Sequence, residues 1–333
     1  MLLRSLLALA VNLSIVNHYV AAQTQPATAV APAFERTRDV IYGRSYGMSL
    51  TMDVFQPAKE KRNGIGVIWV VSGGWYSAPE AINDGTINWF AKPVLDRGYT
   101  VFAVCHGSAP RFTIPEAIND LNRGVRFIRY NAKRYGIDPD RIGIYGGSAG
   151  GHLSVTQGVN PAAPNAKSPD PVDRVPSTVQ AVGAFFPPTD FLNYGAEGKS
   201  AIGAGGILKD FQASFEFRTL DKPSRKFVTV TDENQVREIA TAISPLYHVD
   251  PKDPPTLLIH GDADVLVPYE QATRIMTKFE EAKVDAKLIT KPGANHGWAG
   301  MDKDTGTIAD WFDQNLAKKT PTSAPATTQA TRK

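Results

Sequence analysis

A chain of 333 residues with 42% hydrophobic content is long enough for one large α/β domain, and its single cysteine, Cys105, excludes an internal disulfide. The formal charge of +3 belongs to the ends: without Arg4, Lys318, Lys319, Arg332 and Lys333 the remainder carries −2, which argues against the basic face of a nucleic-acid binder. The six histidines form no H-E-x-x-H pair, and no cysteine cluster, G-x-G-x-x-G or P-loop pattern occurs, so neither a metal nor a nucleotide cofactor is expected.

Residues 1–22 read as a signal peptide: Arg4 precedes an apolar stretch running to about Val16, and Val20-Ala21-Ala22 supplies small residues for cleavage. The stretch falls short of the roughly 20 apolar residues of a transmembrane helix, and no later segment approaches that length. Export to the periplasm or the exterior, with no stable membrane span, is therefore expected. Residues 23–34 and 318–333, rich in Thr, Pro and Ala, read as disordered, leaving 35–317 as the folded domain.

Within that domain an antiparallel hairpin is predicted from 39–42 and 49–55. Strands and helices then alternate: strand Gly66–Val71, helix 87–97, strand Thr100–Cys105, amphipathic helix 115–135 with Pro115 in its first turn, a strand from Ile142, a helix from Ala149 and a strand at 179–186. Cys105, inside a strand, reads as a buried inert thiol. Between 191 and 243 the alternation stops in a stretch holding Phe211, Phe215, Phe217 and Phe227, which reads equally well as a cap over a binding site and as helices packed on the domain's own core. Strand 256–260, helix 269–282, strand 286–290 and helix 305–316 close the series. Continuous apolar strands alternating with helices predict an α/β fold: a mostly parallel central sheet, an N-terminal antiparallel hairpin and helices on both faces.

Chemistry concentrates at Gly146-Gly147-Ser148-Ala149-Gly150, a G-x-S-x-G pattern at the end of the Ile142 strand. Such a pattern describes a sharp strand-to-helix turn that exposes one hydroxyl, and it makes Ser148 a candidate nucleophile. A serine needs a base to take its proton and a carboxylate to orient that base. His296, flanked by Gly293 and Gly297 after the last strand, is the candidate base; Asp262 and Asp264, after strand 256–260, are the candidate acids. His152 follows Ser148 by four residues and packs on the same helix or lines the pocket, whereas His106 and His260 end strands, from which they could approach the site, and read as structural.

Together Tyr145-Gly-Gly-Ser-Ala-Gly-Gly-His152, His260-Gly-Asp-Ala-Asp-Val-Leu-Val-Pro268 and Asn295-His-Gly-Trp298 resemble the α/β-hydrolase superfamily, and within it esterases of the hormone-sensitive-lipase-like and bacterial feruloyl-esterase-like branches. The resemblance spans most of the chain from about Val40 to Leu316 and implies an α/β-hydrolase fold. It implies Asp264 as the acid of the triad, with Asp262 ordering the loop. It also implies an oxyanion hole from the Ala149 amide and from Gly73 and Gly74, where this chain has Val71-Ser72-Gly73-Gly74-Trp75 in place of His-Gly-Gly-Gly-Trp. Trp75 and His152 are the candidates for substrate binding. The expected activity is that of a serine hydrolase acting on small-molecule or carbohydrate esters without a cofactor. A binding protein that kept the scaffold, for which the Val71-Ser72 departure speaks, is the competing class; an acyltransferase or a peptidase would use the same triad.

Overall fold

The computed structural model describes residues 34–203 and 207–317. The expected signal peptide, the tail from 318 and all but the last residue of the linker expected at 23–34 lie outside the described residues; Phe34 is not linker but opens the first strand, where its ring packs edge-on against Phe55.

Eight strands form one sheet: β1 (Phe34–Ser45), β2 (Met48–Pro57), β3 (Gly66–Val71), β4 (Thr100–Cys105), β5 (Ile142–Gly147), β6 (Ala181–Phe185), β9 (Thr256–Gly261) and β10 (Ala286–Lys291), in the order β1-β2-β4-β3-β5-β6-β9-β10. The strands β7 (Arg218–Asp221) and β8 (Lys226–Thr229) make a separate hairpin. β1 and β2 run antiparallel, β2 is antiparallel to β4, and every later pairing in the large sheet is parallel. The predicted class holds, with a longer hairpin. Its turn is only Tyr46-Gly47, both at positive φ (46° and 82°), a primed-turn geometry that matches strand twist and lets pairing run to the tip.

The continuous apolar strands are buried on both faces because helices cover both. On one side Ile68 and Val70 of β3 pack with Leu121, Leu153 and Ile275, which come from α1 (Ile114–Tyr130), α2 (Ala149–Val159) and α4 (Glu270–Ala282); α3 (Glu233–Ala242) lies in the insertion. On the other side Val67, Trp69 and Val71 pack with Val94 from the helical turns at 84–95 and with Ile308 and Phe312 from α5 (Met301–Leu316). Each such side chain taken out of water contributes roughly 1.5–3 kcal/mol.

Local chemistry accounts for the helix ends. The Glu116 carboxylate accepts the Thr113 amide at 2.8 Å and starts α1 beside Pro115. The predicted helix 115–135 is interrupted at Asn131, after which one turn, Ala132–Tyr135, ends on Gly136 in the left-handed region (φ 67°). α5 begins at Met301, earlier than its periodicity indicates, after Gly300 at φ 88°.

Within the stretch at 191–243 the structure contains a 3₁₀ segment, Lys209–Phe215, the β7–β8 hairpin and α3, whose first turn is capped by Asp232 accepting from the Gln235 amide at 2.9 Å. Phe191, Phe215 and Phe217 are buried in the main core, whereas Phe227 is exposed and packs edge-on against Tyr46.

Candidate active site

Ser148 sits between β5 and α2 at φ 54°, ψ −121°, a conformation costly for any residue with a Cβ and held here by close backbone packing. Its amide donates to the Phe185 carbonyl at 3.0 Å. The neighbouring glycines are required by approach distance. A Cβ on Gly146 would lie 2.6 Å from the Gly150 backbone, and one on Gly150 would lie 2.8 Å from the Val70 carbonyl oxygen. The turn therefore raises the Ser148 hydroxyl at the carboxyl edge of the sheet, where the loops after β3, β9 and β10 also end.

Those loops deliver the predicted partners. His296 Nε2 lies 3.0 Å from Ser148 Oγ, and His296 Nδ1 lies 2.8 Å from Asp264 Oδ2. A carboxylate only accepts, so Nδ1 carries the proton and Nε2 presents a lone pair to the serine hydroxyl. Asp264 has no exposed side-chain surface, and its Oδ1 accepts the Leu266 and Val267 amides, each at 2.9 Å. Burial alone would raise its pKa, but hydrogen bonds from His260, His296 and the Val267 amide outweigh burial and hold it well below the usual carboxylate range. The second candidate acid, Asp262, points elsewhere: its Oδ1 accepts the Gly293 amide at 2.6 Å and braces the loop that carries His296. Asn295 adds a further brace by accepting the amides of Val265 and His296 at 3.1 and 2.7 Å.

The loop after β3 departs from expectation at Gly73. Gly73 and Tyr76 exchange backbone hydrogen bonds at 3.0 and 2.9 Å, so the Gly73 N–H is already committed inside the turn. Gly74 stands at φ 56°, with the Phe211 ring filling the space a Cβ would need and with its carbonyl accepting from Ser214 Oγ at 3.2 Å. The Ala149 amide opens α2, where the first N–H groups have no intrahelical acceptor.

Trp75 and His152, expected to bind substrate, are internal instead. Trp75 is 3% exposed and His152 is 0% exposed. The Trp75 indole donates to His152 Nδ1 at 3.0 Å, and His152 Nε2 donates to the Ile243 carbonyl at 2.7 Å. Burial pulls the His152 pKa down to about 4, with the Ile243 carbonyl opposing, so the ring is neutral and ties the β3 loop, α2 and the insertion together. The physical reason for the correction is helix geometry: position 152 is one turn after the serine and faces into the core beside Phe191 and Trp75.

Two further residues border the site: Phe186, which no motif marks, and His260, whose place at a strand end reads as structural. Phe186, just past β6, places its ring centroid 4.3 Å from that of His296. His260, at the end of β9, is fully buried, with Nε2 2.8 Å from the Val267 carbonyl and 3.4 Å from Asp264 Oδ2. Their position at the carboxyl ends of parallel strands is the signal that points to them.

A serine on the turn after β5, an acid after β9 and a histidine after β10, on a sheet of this order, define an α/β-hydrolase. Residues 52–279 match the BD-FAE family model, and the chain belongs to that family. It is similar to the probable carboxylic ester hydrolase LipM of Mycobacterium tuberculosis, 26% identical over 70% of this chain and 49% of LipM. It is also similar to the ethyl acetate hydrolase of Pseudomonas putida, 25% identical over 81% of this chain and 76% of that protein. The chain spans about half the length of the mycobacterial relatives it matches, 49% of LipM and 53% of esterase LipC. Among solved structures, a truncated carbohydrate esterase from gut microbiota superposes with a TM-score of 0.69 at 25% identity, covering 86% of this chain and 98% of that one. Thermogutta terrifontis esterase 2 superposes with a TM-score of 0.63 at 22% identity, covering 88% and 96%, a likeness of fold.

Proposed function

We propose that the protein is an exported serine hydrolase that cleaves carboxylic esters through an acyl-enzyme, with acylated carbohydrates or short-chain esters as its substrates. The continuous hydrogen-bonded chain Ser148–His296–Asp264 is the observation that carries this reading. The names of the gut carbohydrate esterase and of the ethyl acetate hydrolase support the substrate class, and the leader-like start of the sequence supports export.

In the reaction Ser148 Oγ attacks the ester carbonyl carbon as its proton passes to His296 Nε2, and the Asp264 carboxylate stabilises the resulting imidazolium. The Gly74 and Ala149 amides receive the oxyanion of the tetrahedral intermediate; Gly73 contributes by closing the turn that presents Gly74. As the intermediate collapses, the bond to the alcohol oxygen breaks and His296 returns its proton to the leaving alcohol. Water then attacks the acyl-enzyme with His296 again as base, releasing the acid and restoring Ser148.

Ser148→Ala is expected to lower hydrolysis of a panel of p-nitrophenyl and acetylated-sugar esters by at least about 10³-fold and to abolish fluorophosphonate labelling. A variant that retained wild-type turnover would overturn the proposal. A wild-type protein that bound esters without turnover or labelling would favour the binding-protein class.

A further inference from the structure

Ser72 stands where the resembled loop has its first glycine, and the structure gives it a partner. Its Oγ lies 2.8 Å from His106 Nε2, and His106 Nδ1 lies 2.7 Å from the Gly107 carbonyl. The carbonyl can only accept, so Nδ1 carries the ring proton, Nε2 is a bare acceptor and the Ser72 hydroxyl donates to it. His106 is 4% exposed, and burial pulls its pKa down to about 4 against the opposing Gly107 carbonyl, so the acceptor stays unprotonated in neutral solution.

Further bonds extend this contact. The His106 amide donates to Ser77 Oγ at 3.2 Å, the Ser77 amide to Ser108 Oγ at 2.7 Å, and Ser108 Oγ to the Ser77 carbonyl at 2.7 Å. The Gly107 amide in turn donates to Asp120 Oδ2 on α1 at 2.8 Å. The loop that carries Gly74 is thus held at both ends, Ser72 and Ser77, by the segment leaving β4, and that segment is fixed to α1. Gly74 lies two residues from Ser72, and the Ser72 carbonyl oxygen would be 3.4 Å from a Cβ on Gly150, within the turn that carries Ser148.

We propose that the Ser72–His106 pair positions the oxyanion-binding loop: it sets the Gly74 amide relative to Ser148 in a chain that lacks the His-Gly start of the resembled loop. Ser72 and His106 are positioning residues, acting through Gly74 rather than on the substrate. The inference rests on the esterase reading and deepens it. A reacting geometry displaced by about 1 Å costs up to about 10²-fold in rate, and losing one oxyanion donor costs about 10²–10³-fold in kcat, which bounds the effect.

The test uses the full chain with p-nitrophenyl acetate and an alkyl trifluoromethyl ketone, whose serine adduct carries an oxyanion. Ser72→Ala is expected to lower kcat about 10–100-fold while KM changes less than about 3-fold, and to raise the ketone Ki by the same factor as the loss in kcat/KM. Ser72→Thr, which keeps the hydroxyl, should recover most of the loss, and His106→Leu, which leaves Ser72 without its acceptor, should follow Ser72→Ala. The proposal is overturned if folded Ser72→Ala, checked by thermal melting, keeps kcat within about twofold, or if kcat falls without weakening the ketone. If Ser72→Ala fails to fold, His106→Leu is read by the same two criteria. Wild-type turnover that Ser148→Ala abolishes secures the esterase reading independently, so a null result at Ser72 refutes the positioning role alone.

Discussion

Asp264 is the residue whose environment determines most about the proposed chemistry. Three donors converge on its two oxygens, the Leu266 and Val267 amides on Oδ1 and His296 on Oδ2, with His260 Nε2 3.4 Å from Oδ2. They keep the carboxyl ionised, so it holds His296 in the Nδ1–H tautomer that leaves Nε2 free for Ser148. Asp264→Asn replaces one acceptor by an amide donor and reverses that preference. It is expected to lower kcat by roughly 10³–10⁴-fold with little change in KM and a melting temperature close to wild type, measured on a short activated ester. Ser148 and His296 were legible in the sequence, because a G-x-S-x-G after a strand and a glycine-flanked histidine after the last strand are local patterns. Asp264 was separable from Asp262 only by resemblance, since both follow β9 within three residues. The packing of the β10 loop decides between them, with Asp262 bonded to Gly293 and Asp264 to His296.

The element that organises the site is the β5–α2 turn wedged against β3. Gly150→Ala would place a methyl 2.8 Å from the Val70 carbonyl and 3.4 Å from that of Ser72, forcing α2 away from the β3 loop. The expected result is a loss of about 1–3 kcal/mol in stability, seen as a lower denaturation midpoint, together with reduced ester turnover. A variant as stable as wild type would show that the α2–β3 approach has slack. The same element explains what sequence reading handled well. Strands such as Gly66–Val71 and Thr100–Cys105 are buried at every position and announce themselves as continuous β-branched and apolar runs. The insertion at 191–243 was visible as a break in the alternation, but its role was not, because its aromatic residues serve contacts remote in sequence: Phe215 packs on Trp75 and Phe191, and Phe211 on Gly74.

At the scale of the molecule, buried ionisable groups couple stability to pH with opposite signs. His106 and His152 are pulled down to about 4 by burial, so the unfolded chain takes up protons first and their contribution falls as pH drops from about 6.5 towards 4. Asp120 and Asp253 are pushed up to about 6, chiefly by burial, so the folded chain holds protons the unfolded chain has lost, and stability falls as pH rises from about 4 to 6. The two effects offset each other in the wild type. Asp120→Asn isolates one of them, because an amide oxygen can still accept the Gly107 N–H without carrying the buried charge. It is expected to add about 1–3 kcal/mol of stability at pH 7.5 and nothing at pH 4, read from denaturation curves at the two values. Equal shifts at both values would refute the assignment of a raised Asp120 pKa.

The sequence by itself determined the α/β class, the order of the central sheet's strands and of the helices that cover it, the hairpin at the N-terminal edge and the placement of Ser148 and His296. All of these rest on periodicity and turn chemistry within a few residues. Tertiary structure alone decided that Asp264 and not Asp262 meets His296, that the Gly73 amide is spent on Tyr76, that Trp75 and His152 bond to each other inside the core, and that His106 answers Ser72. In each case the deciding partner is brought by a different loop or lies across a tight turn, and a hydrogen bond between loops depends on where the sheet sets their ends, a distance that no local pattern of residues encodes.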